Sequence, residues 1–100
     1  MTLNPLTIDN APEQARPLLE KAKKSYGFVP NILGVMAHAP ATLEAYMTLS
    51  GLFDKTSLSP TERQVVLLAI SAENECTYCV AAHTAIAQMQ NVDADVVEAI

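Results

Sequence analysis

Glu75-Cys76-Thr77-Tyr78-Cys79-Val80-Ala81-Ala82-His83 holds both cysteines and one of the two histidines of this 100-residue chain. On a helix of 3.6 residues per turn, Cys76, Cys79 and His83 fall within roughly 60° of arc. Cys79 and His83 stand at i and i+4, the spacing at which side chains meet across a turn. Two thiols and an imidazole on one stripe point to redox or peroxide chemistry, with the rest of the chain as a helical scaffold for it. Cys76 would sit in the first turn, where unpaired N–H groups and the helix dipole favour a thiolate. Cys79 has His83 to take its proton. Two thiols three residues apart can close a disulfide once one has attacked an oxidant, with a sulfenic acid between. The helix terminus favours Cys76 as the attacking group and the histidine favours Cys79, so the attacker is open at this level.

The same residues have other readings. Cysteine is among the most buried residue types, and two on an Ala-rich helix also fit as packing. Zinc would find three ligands in Cys76, Cys79 and His83 but no second pair to close a tetrahedral site. Haem attachment would need His directly after the second cysteine, where Val80 stands. The sequence therefore points to no metal and no cofactor.

Outward from the stripe, the pattern is helical. Ser59-Pro60-Thr61-Glu62 is a helix start, with a Ser cap, Pro at the first position and Glu at the third. The run Val65 to Ile70 is apolar all round, which predicts a central helix. Asn74-Glu75 interrupts it, and a second helix is expected from about Cys76 through Met89, with Asn91 as its C-terminal cap. Asp93 caps a last helix from Ala94. The amphipathic pattern runs to Ile100 with no stop signal, so the domain is expected to continue or to be completed by another subunit.

Towards the N-terminus, Met1 to Asp9 is expected as an extended arm. The first helix begins near Asn10 to Gln14, where Asn10 and Glu13 fit a capping box, and ends at Gly27. Pro17 does not suit a helix interior, so this helix either starts later or kinks there. Its apolar face is Leu18, Leu19, Ala22 and Tyr26. A short helix follows from Pro30 or Asn31 through Met36 and stops at His38-Ala39-Pro40, where His38 is placed to cap carbonyls. Pro40 opens a helix to about Asp54, with a buried stripe of Leu43, Tyr46, Met47, Leu49 or Ser50, and Phe53. Met36, Met47 and Met89 are expected as gap-fillers in the core. The whole reads as one all-α domain of about six helices over residues 1–100.

Half the residues are hydrophobic and the net charge is −5. That charge argues against nucleic acid or an anionic membrane as partner, since both need clustered Lys and Arg. The opening residues lack a secretory pattern, and no apolar run approaches a bilayer span. A cytoplasmic location is expected, where a close cysteine pair is more often catalytic than structural.

Five segments carry a resemblance: Gly27-Phe28-Val29-Pro30-Asn31, Met36-Ala37-His38-Ala39-Pro40, Leu58-Ser59-Pro60-Thr61-Glu62-Arg63, Ala69-Ile70-Ser71-Ala72-Glu73-Asn74 and Cys76 through Thr84. Together they resemble the AhpD-like alkylhydroperoxidase group of the carboxymuconolactone decarboxylase superfamily, particularly its peroxidase-related members. The resemblance implies an AhpD-like helical bundle assembled as a homo-oligomer, a trimer or a hexamer. It implies hydroperoxide reduction through Cys76 and Cys79 with His83 handling the proton. Electrons would come from a thiol or lipoyl donor, or pass to a peroxiredoxin partner. Decarboxylase members generally lack the cysteine pair. One departure stands out: the resemblance places a proton-relaying glutamate where this chain has Gln64, and an amide cannot accept the proton. Glu73 is the expected substitute, with Glu62 kept for capping. The alternatives are an electron-transfer partner or redox sensor, a carboxymuconolactone decarboxylase-like lyase, and a non-redox assembly module.

Overall fold

The computed structural model describes residues 2–100. Among them, six α-helices and no strands are found: α1 (Arg16–Tyr26), α2 (Asn31–Met36), α3 (Pro40–Asp54), α4 (Pro60–Glu73), α5 (Thr77–Met89) and α6 (Ala94–Glu98). The fold class is all-α, as the periodicity and the resemblance predict. The chain divides into two compact units, Met1–Leu52 and Phe53–Ile100.

In the first unit, α1 starts at the later of the two expected positions. Its N-cap is Ala15, with no side-chain cap, and Pro17 lies in the first turn, where its missing N–H costs nothing. Asn10 does not cap α1; its Oδ1 instead accepts the Thr7 N–H at 2.7 Å, closing a turn before the helix. The helix ends on Gly27 at φ 84°, a left-handed conformation that glycine adopts without steric cost. Leu19 and Ala22 of α1 pack with Ala11, Ala15, Leu33, Ala37 and Leu43 in one buried cluster, and Leu18, Tyr26, Met36 and Met47 pack against it.

The N-terminal arm belongs to this core. Leu6 and Ile8 pack on the cluster, and the Leu6 N–H donates to the Gly34 carbonyl at 3.0 Å. His38, expected to cap its own helix, instead places Nε2 at 2.7 Å from the Asn4 carbonyl oxygen. The carbonyls of Leu33, Val35 and Met36 are already taken by the backbone N–H groups of Ala37, His38 and Ala39, whereas the extended arm offers one to a side chain reaching out of the helix. The stripe of α3 is narrower than expected. Leu43 is fully buried and Met47 half-buried, but Tyr46 and Leu49 are 37% and 67% exposed.

In the second unit, Ser59 forms the expected capping box. Its hydroxyl accepts the Glu62 N–H at 3.1 Å, and the Glu62 carboxylate accepts the Ser59 N–H at 2.8 Å. The hydrogen bond from the Ser59 backbone is the main cause that lowers the Glu62 pKa. Arg63 donates to the Leu58 carbonyl at 2.7 Å and lies 3.6 Å from Asp54, tying down the chain ahead of α4. α4 packs against α5 through Gln64, Leu68 and Ser71, an i, i+4, i+7 row and the only buried residues of the helix. Val66 and Ile70 are about half-exposed, so α4 is not covered all round as its apolar run predicts. Within this unit only α5 and α6 pack on it, and they cover one face. Met89 likewise lies outside the core, 54% exposed.

Two glycines separate packing from propensity. A β-carbon on Gly34 would lie 2.7 Å from the Leu6 carbonyl oxygen and 3.0 Å from Pro5 Cβ, whereas one on Gly51 would meet nothing. Gly34→Ala is expected to destabilise the chain by about 1–3 kcal/mol by pushing the arm off α2. Gly51→Ala, inside α3, should stabilise it by about 0.5–1 kcal/mol. Urea unfolding of the two variants checks both signs. Equal effects would mean that the arm does not bear on α2.

Candidate redox site at the α4–α5 junction

The site begins with how α4 stops. The Glu75 N–H donates to the Ala72 carbonyl at 3.0 Å and the Cys76 N–H to the Ser71 carbonyl at 2.9 Å. These are the two bonds of a Schellman motif, with Glu75 in the left-handed position at φ 54°. Cys76, the second residue past the cap of α4, is also the N-cap of α5. One residue therefore ends one helix and begins the next, with its N–H committed to α4 and its side chain to α5. Its sulfur accepts the Cys79 N–H at 3.3 Å, the place a Ser or Asp oxygen fills in an ordinary cap. Cys76 thus stands one residue ahead of the first turn in which it was expected.

Cys76 and Cys79 are joined as a disulfide, with Cα atoms 5.3 Å apart. Both are half-buried. The first turn of α5 contains no acidic residue, so the positive end of the helix dipole acts on Cys76 without an internal counter-charge. Tyr78, between the cysteines, is 43% exposed.

His83 lies one turn beyond Cys79 on α5 and is half-buried. Its Nδ1 is buried without a hydrogen-bond partner among the described residues. Burial pushes its pKa below the ordinary 6.5, because the charged imidazolium loses hydration that nothing replaces. The ring is therefore held neutral at physiological pH, the form that can accept a proton.

Gln64 is buried, 4% exposed, with Nε2 donating weakly to Gln90 Oε1 at 3.4 Å and Oε1 without a partner. The Gln90 contact was not foreseen. It follows from the antiparallel return of α5, which brings its C-cap back to the first turns of α4, and no local signal announces it. Glu73 is exposed at the end of α4 and makes no side-chain hydrogen bond or ion pair among the described residues. It stands 200° around the helix from buried Ser71, on the outer row with Val66 and Ile70. Cys76, Cys79 and His83 thus lie on one short segment, while Glu73 faces away from the α5-packed row. No group of three or more His, Cys, Asp or Glu side chains among the described residues is placed to hold a metal ion.

The site is thus a disulfide-bonded CxxC at a helix start, with a histidine one turn on, in an all-α chain. The chain matches the carboxymuconolactone decarboxylase family over residues 40–100, from α3 to the C-terminal residue, and belongs to that family, which takes in the AhpD-like proteins. The family includes decarboxylases as well as alkylhydroperoxidases, and the CxxC pair at disulfide distance is compatible with a redox function. Comparison with curated proteins returns no match. No helix among the described residues is long and apolar enough to cross a membrane.

The lowered pKa of His83 has a consequence for stability. The unfolded chain binds the proton more readily than the native one, so the contribution of a neutral His83 is complete above pH 6.5 and is lost as pH falls through the native value. Urea unfolding between pH 7 and pH 5 should show the wild type losing more stability than His83→Asn, the carboxylates being common to both. Parallel pH profiles would show that burial does not penalise the imidazolium.

Proposed function

We propose that the protein is a thiol-dependent peroxidase in which Cys76 attacks a hydroperoxide, Cys79 resolves it and His83 moves the proton. The observation that carries this reading is the position of the Cys76 sulfur, at once the N-cap acceptor of α5 and the disulfide partner of Cys79. In the reduced protein the same cap geometry favours a thiolate, because the Cys79 N–H and the helix dipole both stabilise negative charge there. A free thiol of pKa about 8.5 is only a few per cent ionised at neutral pH, so lowering it by ~2 units raises the reactive fraction tenfold or more.

The Cys76 thiolate attacks the distal peroxide oxygen: an S–O bond forms, the O–O bond breaks, and the alkoxide leaves and takes one proton from solvent to become the alcohol. Cys79 then attacks the sulfenic sulfur. His83 takes the Cys79 proton and returns it to the departing hydroxide, giving water and the disulfide seen here. Two electrons from an external thiol or lipoyl dithiol restore both cysteines. The proton passes between His83 and solvent. Glu73, exposed and unpartnered, acts on this reading only through its charge.

The assembly implied by the resemblance is supported by apolar side chains that neither unit covers. Val66, Ile70 and Met89 in the second unit, and Leu49 and Leu52 on α3, are all about half-exposed or more. Sedimentation at about 100 µM should give a mass several times 10.7 kDa, reduced by Ile70→Glu. A chain that sediments at its own mass would remove the oligomer from the proposal.

The chemistry is tested by adding one equivalent of an organic hydroperoxide to the reduced protein. Two thiols and two mass units should be lost per chain. Cys79→Ser should trap a sulfenic acid on Cys76, and Cys76→Ser should lose hydroperoxide consumption by about 100-fold or more. Consumption unchanged in both single variants would end the reading.

A further inference from the structure

We propose that Glu75 sets the specificity of the site for its reductant, a thiol carried among positive charges, and disfavours anionic thiols. The proposal rests on the redox reading above and names the chemistry of its electron donor.

The charge of this chain is unevenly placed. Up to Leu52, four carboxylates are matched by four cations. From Phe53 onward, seven carboxylates face two cations, so the second unit carries the whole net charge of −5. Of its two cations, Arg63 is paired with Asp54 at 3.6 Å, and Lys55 precedes α4 altogether. Between Gln64 and Val92 the only charged side chains are Glu73 and Glu75, three residues and one residue ahead of Cys76. Both are exposed, and neither has a side-chain partner among the described residues. Glu75, next to Cys76 in the chain, is thus a carboxylate with no counter-charge on α4 or α5 beyond Arg63, while Glu73 lies on the outer face of α4.

Glu75 also occupies the left-handed position of the Schellman motif, where glycine is the least costly residue. A carboxylate there is displayed beside the first cysteine by the same turn that fixes that cysteine as the cap of α5. Exposed Tyr78, between the two cysteines, adds apolar surface at 43% exposure.

Reduction proceeds by attack of a thiolate on one sulfur of Cys76–Cys79. The S–S bond breaks, a mixed disulfide forms and the other cysteine leaves as thiolate. A second thiolate then takes the first as its disulfide, delivering two electrons in all, and solvent supplies the protons. The attacking sulfur is already negative, so the charge around it decides how often it arrives. A unit charge about 8 Å from a carboxylate in water shifts the local population about twofold. A cationic and an anionic carrier differ by two charges, so one carboxylate separates them about fourfold unscreened and about threefold at low salt.

The test measures second-order rates of disulfide opening, per thiolate, with cysteamine, 2-mercaptoethanol and 3-mercaptopropionate. Each rate is divided by the rate of that thiol with a neutral reference disulfide, which removes intrinsic nucleophilicity. At about 0.02 M ionic strength the wild type should prefer cysteamine to mercaptopropionate by about threefold, and 1 M salt should flatten the series. Glu75→Gln should abolish the preference, and Glu75→Lys should invert it. A flat series in the wild type, or one unmoved by Glu75→Lys, overturns the proposal while leaving the redox reading intact. A disulfide that none of the three thiols opens would overturn both.

Discussion

The second unit depends on one constraint: α4 must stop and α5 must start within two intervening residues, Asn74 and Glu75, plus the shared Cys76. A Schellman turn meets it by returning the N–H groups of Glu75 and Cys76 to the carbonyls of Ala72 and Ser71. The cysteine is then oriented by backbone hydrogen bonds on one side and by its own cap on the other. A sulfur in that position has little freedom left to lose when it reacts, which is how a small helical hairpin presents a preorganised thiol. The same economy recurs at the far end of α5. There Asn91 takes the left-handed position at φ 60° and Val92, buried, donates to Ala87 at 2.9 Å. Both ends of the helix carrying the cysteines and the histidine are therefore fixed by turns rather than left to fray.

The seam between α4 and α5 is more polar than a packing interface requires. Gln64 and Ser71 occupy two of the three buried positions on α4, and the Ser71 hydroxyl is turned back to the Leu67 carbonyl at 2.6 Å. Gln64 Oε1 and His83 Nδ1 are each buried without a partner. Buried polar atoms normally find hydrogen bonds. An apolar residue at position 64 would pack α4 on α5 more simply, so this seam is not arranged for packing alone.

Much of this was legible in the order of residues, because the signals were local. The capping box at Ser59, the glycine stop at Gly27, the breaks before Pro40 and at Asn74 and the Asp93 cap each depend on neighbours within four positions, and each appears where expected. Apart from the Asn10 cap, taken up locally by the Thr7 N–H, the misreadings are those in which a distant neighbour decides. Tyr46 and Leu49 fit a helical stripe by spacing, but Leu43 and Met47 face the cluster built by α1 and the arm. His38 was assigned to its nearest carbonyls and found one 34 residues away. Val66 and Ile70 looked like core because hydrophobicity does not say how many neighbours a helix has. The cysteine stripe was legible because its residues share one turn, whereas Gln90 against Gln64 needed the hairpin itself.

The position of Glu75 joins these strands. A left-handed residue between two helices is commonly glycine, since any β-carbon there meets a steric cost of about 1 kcal/mol or more. This chain accepts that cost with a carboxylate, and does so one residue from a sulfur that sits at the positive end of the α5 dipole. A negative side chain at that place works against the thiolate, so it contributes nothing to acidifying Cys76. Its effect must fall on what approaches from outside. A protein built only to maximise thiolate reactivity would place a cation or a glycine there; one that has to choose among reductants gains from a charge at the entrance.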